Sequence, residues 1–315
     1  MSKRVFITTS GTLKRKNNTI ALVTKDGTKY VPINQLKSLY VFGEVKLNKR
    51  FLQFLSKEGI LIHFFSRRRR YIGSFVPKRS NLSGHVLVKQ VEAYLDGEKR
   101  LTIAKRFVEG SVKNMSLVLR ENGVDSTSVK EKLKELENAK TVNEVMGIEG
   151  SARQEYYAGL DKILGGAFVK RSKKPPENWV NSLMSLGNMM LYTEVLGAIY
   201  QTQLDPRVGY LHTTNMRKFS LNLDIADVFK PIIVDRLVIA LIKRKEITEK
   251  DFEVNGLKLT DDALRKFVKK FDEKMETKVN VGKKRASYTR LLRMECYKLE
   301  KHLLGDEEYR PYVAR

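Results

Sequence analysis

A single cysteine, Cys296, in a chain of 315 residues excludes an internal disulfide and any multi-thiolate metal centre. Its surroundings, Arg293-Met294-Glu295-Cys296-Tyr297-Lys298-Leu299, read as a helix carrying a packed thiol rather than a reactive one. Only 7 residues are proline and 42% are hydrophobic, which excludes a disordered or fibrous chain. A bilayer-spanning run is also missing: the most apolar stretch, Pro231 to Ile242, is too short and is interrupted by Asp235 and Arg236. Met1-Ser2-Lys3-Arg4-Val5-Phe6 lacks the apolar core and small-residue cleavage site of a secretory signal, so cytoplasmic residence is expected. Gly282-Lys283 has Thr277 where a P-loop needs its first glycine, so ATP hydrolysis is not indicated. His-Glu-x-x-His, Gly-x-Ser-x-Gly and Cys-x-x-Cys do not occur.

Acidic residues are scarce relative to basic ones, 36 Asp and Glu against 60 Lys and Arg, leaving a formal net charge of +24. Such an excess points to a polyanionic partner. It is concentrated early: residues 1–75 hold 16 Lys and Arg but only 3 Asp and Glu. The densest run, Arg67 to Arg70 before Tyr71, fits a nucleic-acid contact or a solubilising hairpin tip equally well.

The periodicities divide the chain. Arg4 to Thr9, Thr19 to Thr24, Tyr30 to Ile33 and Ile60 to Phe65 read as strands, with Asn17-Asn18 and Asp26-Gly27 suited to tight turns, which suggests a β-meander. Asn48 to Glu58 has helical spacing and Gly59 to end it. Beyond Gly84 the period is helical, roughly over 85–95, 98–121, 128–138, 149–164, 178–202, 224–245, 260–274 and 284–304. The predicted fold class is α+β and multidomain: a small, basic β domain over residues 1–80, linked through Pro77 to Gly84 to a larger all-α domain over 81–315.

Several residues in the helical part carry chemistry. Asp224 and Asp227 are three apart, and therefore share a helix face. Such a pair either holds a hard cation or caps the helix start. His212 lies in the polar segment Gly209-Tyr210-Leu211-His212-Thr213-Thr214-Asn215, where a surface role and ligation both remain open. Glu149, flanked by Gly147 and Gly150, sits where the period predicts a helix start, as a first-turn acid or a ligand. Together, one histidine and two or three carboxylates suit Mg²⁺ or Mn²⁺ and phosphodiester chemistry. Candidate DNA contacts are Arg217 and Lys218 after the histidine, with Lys283, Lys284, Arg285, Arg290 and Arg293 gathered on the last long helix. Tyr156, Tyr157, Trp179 and Tyr192 are candidates for base stacking or for core.

The order and spacing of Gly147-Ile148-Glu149-Gly150, His212-Thr213 and Leu223-Asp224-Ile225-Ala226-Asp227 resemble the CRISPR-associated endonuclease Cas1, the integrase of spacer acquisition. The resemblance extends through Asn181 and Tyr192, Phe229 to Arg236, and Ser287 to Leu299, and so covers essentially the whole chain. Thr214 departs from members that carry glycine after His-Thr. The resemblance implies metal ligands at Glu149, His212 and Asp227, with Asp224 as a supporting acid. It also implies a homodimer through the N-terminal β domain, bridging by the small partner Cas2, and action on double-stranded and branched DNA. By it, foreign fragments enter the CRISPR array through 3′-hydroxyl transesterification. A structure-selective repair nuclease and a non-catalytic DNA-binding scaffold, in which the acids merely cap helices, are the alternatives.

Overall fold

The computed structural model describes residues 3–66, 68–77, 82–172, 176–212, 219–253 and 258–315. An N-terminal β-strand region is followed by a mostly helical part. Close contacts gather the chain into two units, Met1–Ser80 with Thr260–Asp272, and Asn81–Leu259 with Glu273–Arg315. The assignment of everything after residue 80 to the helical domain therefore needs correction, since Thr260–Asp272 belongs with the β-rich unit. Long-range ion pairs account for this: Arg4 Nη1 lies 2.9 Å from Asp272 Oδ1, and Arg69 Nη2 lies 3.4 Å from Asp261 Oδ1. Arg69 is thus buried, whereas Arg67 of the same basic run lies outside the described residues.

The first unit contains β1 (Lys3–Ile7), β2 (Gly11–Lys16), β3 (Thr19–Thr24), β4 (Gly27–Pro32), β5 (Leu36–Val41), β6 (Val45–Lys46), α1 (Lys49–Glu58), β7 (Leu61–Phe65) and β8 (Tyr71–Phe75). Only β2, β3 and β4 form the expected meander, turning at Asn17 (φ 54°) and Gly27 (φ 129°). The other sheet, in the order β1-β5-β7-β8, pairs β1 with β5 and β5 with β7 in parallel. Parallel neighbours need a crossover, and α1 lies in the connection between β5 and β7. Asn48 caps α1 by accepting from Phe51 N at 3.0 Å, and Gly59 (φ 70°) ends it. Its face of Phe51, Phe54 and Leu55 joins Leu13, Ile20, Leu39 and Ile62 in the core.

The second unit is built on α2 (Gly84–Leu95), α3 (Gly97–Glu121), α4 (Thr127–Asn138), α5 (Val142–Ile163), α6 (Trp179–Ile199), α7 (Leu221–Lys230) and α8 (Arg236–Lys243). β9 (Phe252–Glu253) and β10 (Lys258–Leu259) follow, then α9 (Asp261–Glu276), which belongs to the first unit as far as Asp272, and then β11 (Lys278–Val281), β12 (Lys284–Ser287) and α10 (Tyr288–Leu304). The all-α expectation fails at two short hairpins, β9–β10 and β11–β12. Lys278-Val279-Asn280-Val281 alternates with period two and Gly282 (φ 58°) turns the chain, so Arg285 sits on β12 and not on the last helix.

Helix α3 is buried against α4, α5 and α7. Gly110 permits that approach: a Cβ there would stand 2.7 Å from Pro311 Cβ and 3.2 Å from Val228 Cγ1. Helix α6 is buried along nearly its whole length. Between α7 and α8 the backbone makes a π-helical turn, Pro231–Asp235. Pro231 has no N–H to reach the carbonyl of Asp227, and its ring would clash with that carbonyl in a regular helix, so the widened turn accommodates it.

Asp235 ends that turn in the core, where its carboxylate accepts from Tyr156 Oη at 2.9 Å. Tyr156 is therefore a core residue, not a base-stacking one. Burial, opposed by the Tyr156 hydrogen bond and by nearby cations, lifts the Asp235 carboxyl to about 6. A pKa raised in the folded state stabilises fully below the unfolded value and loses that contribution as pH rises through the folded one. Asp235→Asn is accordingly expected to match the wild type near pH 4 and to exceed its unfolding free energy by about 2–3 kcal/mol above pH 7. Urea unfolding at both pH values checks this, and parallel loss in both proteins contradicts it.

Candidate active site

The site begins at the N-terminal turn of α7. Asp224 lies in that turn and is fully buried, yet its carboxylate does not cap its own helix. It accepts instead from the backbone N–H groups of Tyr210 (2.6 Å), Leu211 (3.1 Å) and His212 (3.0 Å), and contacts His212 Nδ1 at 2.7 Å. The carboxylate fixes both the segment bearing His212 and the ring orientation. Nε2 is left 4.0 Å from Asp227 Oδ2. Burial disfavours the imidazolium, but the Asp224 hydrogen bond and the charges of Asp227 and Asp224 outweigh it and raise the His212 pKa.

One turn further along α7, Asp227 is 3% exposed. Its Oδ1 receives Lys230 Nζ and lies 3.2 Å from Arg153 Nη2. Arg153 Nε also donates to Glu149, one turn earlier on α5. Glu149 is 7% exposed and sits in mid-helix, because α5 starts at Val142 under a Thr141 cap. The expected helix start at Glu149 is thus displaced by two turns, the flanking glycines having been absorbed into the helix. Burial works against ionisation of Asp227, but Arg153, Lys230 and His212 hold it well below the usual carboxylate range. Burial likewise opposes the Lys230 ammonium, and Asp227 reverses the balance and raises its pKa.

Glu149, Asp227, His212 and Asp224 are therefore linked, through Arg153 and through direct contact. Among the described residues no three His, Cys, Asp or Glu side chains converge closely enough to form a ready ligand group. The donor set nevertheless fits a divalent cation in kind, since two buried carboxylates and one oriented imidazole nitrogen share a water-poor region. Arg153 and Lys230 complete the site, although only their spacing announces them, four after Glu149 and three after Asp227.

The candidate DNA contacts are scattered. Tyr192, half-buried on α6, lies under Lys230, whose Nζ is 4.7 Å from the ring centroid. This cation–π contact places Tyr192 at the edge of the carboxylate cluster. Arg217 and Lys218 lie outside the described residues. Arg285 is exposed and reaches Lys278 O across its hairpin, Arg290 is exposed at the start of α10, and Arg293 is exposed with Nη1 3.3 Å from Gln201 Oε1. Trp179 packs against Phe252 and Tyr157 against Phe168.

An amide at position 224 would keep the shape but place an N–H₂ against backbone donors. Asp224→Asn is expected to lower the unfolding free energy by about 2–4 kcal/mol and to move the His212 titration downward. Denaturant unfolding and NMR titration of the imidazole test the two effects, and an unmoved titration contradicts the assignment.

The family model described as CRISPR associated protein Cas1 matches residues 5–273. The CRISPR-associated endonuclease Cas1 of Thermotoga maritima is 46% identical over 97% of this chain and 98% of its own length. A solved structure of a Cas1 protein from the same organism superimposes with a TM-score of 0.91, covering 98% of this chain and 100% of that one. At lower identity the fold is shared by a casposase bound to integration product, with 21% identity, a TM-score of 0.87 and coverage of 98% and 92%. It is shared also by a Cas6-RT-Cas1–Cas2 complex, with 18% identity and a TM-score of 0.83 over 99% of this chain and 36% of that one. Full-length similarity at this identity, joined to the family match, makes this chain a member of the Cas1 family of CRISPR-associated proteins.

Proposed function

We propose that the protein is a metal-dependent DNA endonuclease and integrase, working in the cytoplasm, that inserts foreign DNA fragments into a CRISPR array by 3′-hydroxyl transesterification. The observation that carries this reading is the linkage of Glu149, Asp227 and His212 from three separate segments, in a chain of the Cas1 family. Glu149, His212 and Asp227 would hold Mg²⁺ or Mn²⁺, while Asp224 holds His212 in place. A divalent ion bound there supplies charge neutralisation at phosphorus and favours ionisation of the attacking hydroxyl.

The chain's own groups do the rest. Lys230 and Arg153 keep the Asp227 carboxylate ionised in a buried setting, and Tyr192 presents an aromatic face beside Lys230. The net charge of +24 supplies sequence-independent affinity for DNA through counterion release. Exchange of one phosphodiester for another needs no ATP, in keeping with the absence of a P-loop from the sequence. The same groups acting with water would cleave branched DNA. The fold shared with a casposase bound to integration product, and with a complex containing Cas2, supports double-stranded DNA and Cas2 as partners. A homodimer completes the proposed assembly.

Asp227→Ala would leave Arg153 and Lys230 buried without their shared counter-ion, at a cost of about 3–5 kcal/mol, so loss of activity there would be ambiguous. The more accessible His212 gives the cleaner test. Transfer of a labelled duplex into a supercoiled plasmid carrying a repeat, with Cas2 and Mn²⁺ or Mg²⁺ present, is expected to fall by about a hundred-fold or more in His212→Ala. Equal transfer by both proteins, or DNA binding by both without transfer, overturns the proposal.

A further inference from the structure

We propose that Arg153 and Lys230 make the Glu149–Asp227 site selective for small six-coordinate divalent cations over Ca²⁺, by occupying one oxygen of each carboxylate. The inference rests on the reading of this site as a metal site and adds which ion it admits.

The contacts are asymmetric. Arg153 Nη2 and Lys230 Nζ both address Oδ1 of Asp227, while Oδ2 is turned toward His212 Nε2 at 4.0 Å. Arg153 Nε addresses Oε1 of Glu149, and Oε2 receives no hydrogen bond from the described residues. Each carboxylate therefore has one oxygen committed to a cation and one available.

The commitment is durable. Both cationic side chains are largely buried, at 13% and 12% exposure. Glu149 and Arg153 are four apart on α5, and Asp227 and Lys230 three apart on α7, so ordinary helix geometry maintains both pairings. A guanidinium cannot neutralise itself by losing its proton.

Monodentate carboxylates discriminate between ions. Ca²⁺ takes about six to eight oxygens and commonly draws both oxygens of a carboxylate, whereas Mg²⁺ demands compact octahedral geometry with one oxygen per carboxylate and several waters. An imidazole nitrogen in the set further favours Mn²⁺ over Ca²⁺. The positive charge of Arg153 and Lys230 weakens every divalent ion alike, so the informative quantity is the ratio of affinities rather than either affinity alone.

Mn²⁺ binding to the full-length protein, read from the loss of the free-ion EPR signal and competed with Ca²⁺ or Mg²⁺, measures that ratio without reference to activity. Arg153→Met is expected to strengthen Ca²⁺ relative to Mg²⁺ by about ten-fold or more. An unchanged ratio, including equal strengthening of both ions, overturns the proposal. If circular dichroism finds Arg153→Met unfolded, the same ratio in Lys230→Met decides, with a shift toward Ca²⁺ expected and no shift overturning it. His212→Ala separates the two levels: Mn²⁺ binding that survives this change refutes the metal-site reading itself, whereas binding lost there with an unshifted ratio in the cation variants refutes only the selectivity.

Discussion

Carboxylates cannot remain charged in a protein interior without compensation, and three of them, Glu149, Asp224 and Asp227, lie at or below 7% exposure in one region of the helical unit. The local architecture answers that constraint. Asp224 is compensated by three backbone N–H groups and an imidazole, Asp227 by a guanidinium and an ammonium, and Glu149 by the same guanidinium. Because the partners are shared, no member can move alone. Helix α5, helix α7 and the segment carrying His212 are locked together by charge at the point where chemistry is proposed.

Packing sets the stage for that lock. Helix α3 approaches α7 closely enough at Gly110 to touch Val228, the residue after Asp227. Asn114, one turn along α3, donates to Val228 O and to Tyr312 O at 2.8 and 3.0 Å, so the backbone beside Asp227 is tied to the C-terminal segment as well. A buried amide with both donors used is costly to disturb. Rigid helices thus hold the side chains of the proposed site, in keeping with the precision that phosphoryl chemistry requires.

Much of this was legible from sequence where the signal is local. Asn48 and Gly59 bracket α1 because capping chemistry acts within a few residues, and the 3.6-residue period located the long helices from α2 to α6. Non-local facts were not legible. The segment Leu36–Val41 carries no regular alternation, and its parallel pairing with both β1 and β7 depends on chain segments far away. Gly147 and Gly150 suggested a helix start near Glu149, but tertiary packing overrode their weak propensity. His212, Asp224 and Asp227 stood out by residue type and spacing, whereas Arg153 and Lys230 look in sequence like ordinary surface ion-pair partners. Only burial distinguishes them.

The π-helical turn at Pro231–Asp235 bears on how this chain tolerates change in length. Each helical residue advances the face by about 100°, so the extra residue in a widened turn sets the phase of everything after it. Asp235 meets Tyr156, and Leu237, Val238 and Leu241 reach the core, only in that phase. Loss of one residue here would leave Asp227 where it is while rotating α8 by roughly a quarter of a turn, turning an apolar face to solvent. The segment after the proposed ligand is thereby intolerant of insertion and deletion even where individual side chains could be exchanged.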